Sequence, residues 1–73
     1  MNWQSLVVPI TQAEIKLHIQ DKEWQKTRMS LQGQSLDKKY RILKHWLATH
    51  NNSRAAQVQV ANYVNALKRG GLI

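Results

Sequence analysis

Hydrophobic positions recur with a helical period in three stretches of the chain. The two-residue alternation of a strand is confined to a brief apolar run at Leu6–Val8. The second stretch is the most regular. Leu36, Tyr40, Leu43 and Leu47 form a stripe about 60° wide when placed at 100° per residue, and Ile42 and Trp46 widen it along one flank. Lys38, Arg41, Lys44 and His45 fall on the far side. Ser35 is placed to cap this helix, with Asp37 in the first turn where a carboxylate suits the helix dipole, and His50-Asn51-Asn52 interrupts the pattern. The third stretch starts at Ser53, carries Ala56, Val60, Tyr63, Val64 and Leu67 on one face and runs to about Arg69. Gly70-Gly71 ends it, with Leu72 placed to fold back on Leu67 in a Schellman stop.

The first stretch opens at a capping box formed by Thr11 and Glu14, with Ile10 and Ile15 placed as a hydrophobic staple. The pattern predicts one helix from there to about Met29–Leu31, ended by Gly33. Its apolar residues occupy two faces. Leu17, Trp24 and Leu31 lie on one with Ala13 nearby, and Ile15 and Ile19 lie on the other. The second face needs cover, either from Trp3, Leu6 and Val8 of the N-terminal tail or from a second subunit in a homodimer through Ile15 and Ile19. The expected fold is all-α: residues 1–73 form one compact three-helix domain with a short extended N-terminal tail. Its last two helices form a helix-turn-helix-like hairpin, although both are longer than the usual pair and the turn lacks the customary glycine.

Size narrows what such a fold can do. A chain of 73 residues buries only about 60% of the surface it exposes when unfolded, so a deep substrate pocket would consume its core. An enzyme is not expected, and no cofactor. There is no cysteine, and His45 and His50 point to different sides of their helix, so no metal site is expected either. Leu6-Val7-Val8 meets Pro9 at once, far short of a signal-peptide core or a membrane span, which makes the cytoplasm the expected location.

Charge changes the picture further. Eleven Lys+Arg against four Asp+Glu give a net charge of +7, and the excess is all in one half. Residues 1–37 balance Lys16, Lys22, Lys26 and Arg28 against Glu14, Asp21, Glu23 and Asp37. Residues 38–73 carry Lys38, Lys39, Arg41, Lys44, Arg54, Lys68 and Arg69 without a single acid. A neutral half joined to a cationic half is the asymmetry of a polyanion binder, nucleic acid being the commonest polyanion. The alternative is a solvated basic surface that maintains solubility.

With its apolar face inward, the third helix would present Arg54, Val58, Ala61, Asn62, Asn65 and Arg69 outward, bordered by Gln57 and Gln59. Solvent-facing helices usually mix Glu with Lys. This set has amides, small apolar groups and arginine, the types that read base edges in a major groove. Arg54, Val58, Asn62, Asn65 and Arg69 are therefore the candidate base contacts. Lys38, Arg41, Lys44, His45 and Lys68 are the candidate phosphate contacts that would set the register.

Ser35-Leu36 with Lys39-Tyr40, Leu43 and Trp46-Leu47, followed by Val60, Tyr63-Val64, Leu67 and Gly70-Gly71-Leu72, resembles the first helices of the core-binding domain of phage-type tyrosine recombinases. The resemblance covers roughly residues 30–73 and implies contact with double-stranded DNA. It does not extend to the family's catalytic domain, and Tyr40 and Tyr63 lie in apolar stripes as core residues. The implied role is that of a DNA-binding accessory factor or regulator in transcription or recombination of a mobile element such as a phage or plasmid. A protein-interaction adaptor or inhibitor docking on an acidic partner is the alternative, and RNA a further one.

Overall fold

Thr11 opens the first helix by the reciprocal bonds its spacing allows. In the computed structural model, which describes all 73 residues, the Glu14 amide donates to Thr11 Oγ1 at 3.2 Å and the Thr11 amide to Glu14 Oε1 at 3.1 Å. This helix, α1 (Gln12–His18), ends well before the position the periodicity predicts. Asp21 is the cause. Its carboxylate accepts the amides of Glu23 and Trp24 at 2.8 and 3.1 Å and starts a separate helix, α2 (Lys22–Leu31). The carbonyls released at the break have side-chain donors. Gln59 Nε2 donates to His18 O at 2.9 Å, and Gln25 Nε2 donates to Ile19 O at 2.5 Å.

Two longer helices follow, α3 (Leu36–Thr49) and α4 (Arg54–Arg69), each capped as expected by the serine before it, Ser35 and Ser53. A four-residue 3-10 turn, Trp3–Leu6, precedes α1. The fold is thus all-α with four helices and no strand, and the single long first helix is replaced by a pair. No helix is long and apolar enough to cross a membrane.

The turn between α3 and α4 solves its geometry without glycine. Asn51 and Asn52 adopt left-handed φ angles of 54° and 50°, a region asparagine tolerates better than most residues. The amides of Asn52 and Asn51 donate to the carbonyls of Leu47 and Ala48 at 2.8 and 3.2 Å, a Schellman closure. The same closure ends α4. Leu72 N donates to Leu67 O, Gly71 N donates to Lys68 O, and Gly71 takes φ +74°. Leu72 itself stays 55% exposed, however, and the neighbouring Ile73 is the residue that packs on the core.

Trp24, Leu31, Leu43, Trp46, Ala56, Val60 and Val64 form the core together with Leu6 from the 3-10 turn. The tail therefore packs on the longer helices. Trp3 meets the Tyr40 ring edge-on at 5.2 Å, and Lys68 Nζ donates to Gln4 Oε1 at 2.8 Å. Breaking the first helix also resets the phase of its apolar residues. Leu17, expected to share a face with Trp24 and Leu31, is 73% exposed. Ile15 and Ile19 are half-buried and line one small recess with Val58, Gln59 and Asn62 of α4. Part of the cover expected from the tail or from a homodimer partner is supplied by α4.

Candidate nucleic-acid interface

Seven residues of α4 are buried: Ala56, Val58, Gln59, Val60, Ala61, Val64 and Leu67. Four consecutive ones, 58–61, fall at roughly right angles around the helix axis, so the middle of α4 is enclosed on every side. The 3-10 turn, α1 and α3 all pack against it. This corrects the outward face expected of α4. Val58 is 1% exposed and Ala61 fully buried, so neither can meet a thymine methyl. Gln59, expected at the border of that face, is 4% exposed and spends its amide on the carbonyl of His18. Asn62 and Asn65 are half-buried, and Arg69 is exposed at the end of the helix.

Arg54 is committed elsewhere. Its guanidinium donates to both oxygens of Glu14, from Nε at 2.6 Å and from NH2 at 3.0 Å, and also to Pro9 O at 2.7 Å. Glu14 already belongs to the capping box, so one carboxylate fastens the start of α4 to the start of α1. The hydrogen bond from Arg54, reinforced by the Thr11 amide, holds the Glu14 carboxyl down at about 2 from an ordinary 4.5, and the same pair raises the basicity of Arg54. A base contact from Arg54 would have to break this fork.

A folded-state value below the unfolded one means that the stabilisation is complete above pH 4.5 and lost as the pH falls toward 2. Acid titration of thermal stability is therefore expected to fall across that window. Glu14→Gln is expected to flatten the decline there and to lower the melting temperature at pH 7. An unchanged acid profile in the variant would show that the fork contributes nothing.

The face left open is that of α3. Its buried and half-buried positions sit on one side, while Asp37, Lys38, Arg41, Lys44, His45, Ala48 and Thr49 are exposed over an arc of about 140°. Lys38, Lys44 and His45 have no carboxylate partner. Arg41 pairs with Asp37 at 2.6 Å, one turn away, an exposed i,i+4 contact of about 0.2–0.5 kcal/mol. Hollows flank the ridge on both sides. One of about 530 Å3 is lined by Ser35, Asp37, Lys38, Arg41, Ile42 and His45. The other, of about 300 Å3, lies beside Lys44, Ala48 and Asn52. Lys44 Nζ sits 5.8 Å from the centre of the Tyr40 ring, which restrains its stem without neutralising its charge.

The residues expected to contact phosphates thus share one surface, apart from Lys68, which is exposed near the end of α4 and bonded to Gln4. Those expected to contact bases do not form one surface. Two residues take part in these surfaces in roles not expected of them. Asp37 puts an acid on the cationic ridge, visible in the sequence as the i,i+4 partner of Arg41. Arg28 of α2 shares a hollow with Asn62 and Arg69, a juxtaposition that depends on the break before α2 and has no local signal. No family model, curated protein or solved structure matches the chain.

Proposed function

We propose that this chain is a double-stranded DNA-binding module that docks the exposed face of α3 on the duplex. The observation that carries the reading is the ridge itself. Lys38, Arg41, Lys44 and His45 stand on one continuous exposed arc against the single acid Asp37, while the apolar side of the same helix is anchored in the core. The helix under this row of cations is already ordered by the core when it meets a row of phosphates, and release of condensed counterions supplies the driving force. The small side chains of Ala48 and Thr49 at the end of the arc allow close approach of the helix, and a major groove about 12 Å wide admits one.

In this reading α3 and α4 are a helix-turn-helix-like pair with altered roles. The second member, α4, is the central support, and α3 carries the contact surface, with Lys68 as an outlying phosphate contact. The resemblance of residues 30–73 to recombinase core-binding domains points to the same partner. It favours a cytoplasmic accessory factor or regulator acting on the DNA of a mobile element.

Fluorescence anisotropy on random duplexes across a salt series tests the proposal. Four to five phosphate contacts predict a slope of about −3 to −5 in log K against log salt. A flat response would remove the phosphate role. Duplex RNA in the same series separates the two nucleic acids, and tight binding to an acidic protein with none to DNA would favour the adaptor reading.

A further inference from the structure

We propose that the hollow between α2 and the C-terminal half of α4 binds a small organic phosphate through the guanidinium groups of Arg28 and Arg69. This site does not depend on DNA docking by α3. The hollow holds about 290 Å3, near the lower end of the range for small-molecule sites. Its apolar lining comes from Ile19, Trp24 and Ala66, the half-buried Tyr63 ring and the Asn62 amide add to it, and the two arginines complete it. Tyr63 and Trp24 brace each other edge to face, their ring centres 6.4 Å apart. No carboxylate lines the hollow, and neither arginine takes part in an ion pair.

Two guanidinium groups bordering one small space repel each other, and an anion between them replaces that repulsion by two attractions. The arginine fork fits phosphate oxygens bidentately, and two forks from different helices can grip one phosphate from both sides. Arg28 and Arg69 both lie in last turns, where the carbonyl ends of the helices oppose an anion. That effect is screened and confined to the helix end, and both arginines line the hollow. The rest of the lining selects among phosphates. Inorganic phosphate would leave the apolar surface wet. A phosphate ester covers it with its organic part, and the Asn62 amide offers one donor group and one acceptor to polar atoms on that part. A nucleoside monophosphate has this combination of parts, either free or as the phosphorylated end of a strand.

Titration of the folded protein with adenosine 5′-monophosphate, adenosine and inorganic phosphate tests the site, read by amide chemical shifts at Asn62, Tyr63 and Arg69. The monophosphate is expected to bind with a Kd of about 1 mM or tighter, and the other two at least about tenfold more weakly. Arg28→Gln and Arg69→Gln are each expected to weaken it about tenfold without changing the melting temperature, since both side chains are exposed. A 5′-phosphorylated oligonucleotide moving the same resonances more than its unphosphorylated counterpart would identify a strand end as the source, and equal effects a free nucleotide. Adenosine binding as tightly as its monophosphate, unchanged affinity in both arginine variants, or shifts confined to α3 would each overturn the proposal. Saturating monophosphate is expected to leave duplex binding by α3 intact, so either site can fail without the other.

Discussion

Replacing Lys38, Arg41 and Lys44 together by glutamate is expected to abolish DNA binding at physiological salt while leaving the protein folded. All three side chains are exposed on α3, and only Arg41 has an ion-pair partner, so the cost to stability is about 0.5 kcal/mol or less per site. The cost to binding is far larger. Losing three phosphate contacts lowers the salt slope by about 2.7, and the new carboxylates add repulsion, so affinity should fall by at least about a hundredfold. Asp37→Asn is the opposite arm. It removes the only acid on the ridge and frees Arg41, and binding should tighten by about two- to fivefold at a small loss of helix stability. The pair Asn62→Ala with Asn65→Ala is the control for groove reading by α4. Docking by α3 predicts affinity and sequence preference within about twofold of the parent. Loss of sequence preference in that variant, with affinity retained in the α3 triple variant, would return the contact surface to α4.

The contrast between α3 and α4 shows how far the sequence could be read. Both helices begin at a serine cap and end at a turn that pattern and spacing located, because capping and left-handed termini are local chemistry. On α3 the polar arc is also the exposed arc, since Lys and Arg resist burial wherever the chain places them. On α4 the expected outward-facing set includes Val58 and Ala61, with Gln59 at its border, residues that are content either in water or in a core. Val58 and Gln59 are enclosed from the side of α1, more than 30 residues away in the chain. Asp21 did leave a trace in the sequence, a capping residue followed by Glu23 in a first turn. The apolar spacing of Leu17, Trp24 and Leu31 outweighed it, although a strong N-cap starts a helix whatever lies before it. The break moved Ile15 and Ile19 onto α4, enclosed Val58, and brought Arg28 into the hollow that holds Arg69.

Trp24→Ala is expected to lower the melting temperature by about 12 °C or more. The indole is 2% exposed, lies 5.4 Å from the Trp46 ring and 6.4 Å from the Tyr63 ring between centres, and joins α2 to both long helices. Emptying such a site costs about 3–5 kcal/mol, because rigid neighbours cannot collapse into the space. A domain of 73 residues commands a total stability of roughly 4–11 kcal/mol, so the loss takes most of it at the lower end. Trp3→Ala is the comparison. That ring is half-buried and meets Tyr40 at one edge, so its removal is expected to cost about 1–2 kcal/mol and to leave a cooperative transition. Thermal melts of both variants by circular dichroism check the ordering. If Trp24→Ala melted within a few degrees of the parent, α2 could not be a structural member of the core, and Arg28 would not be held beside Arg69.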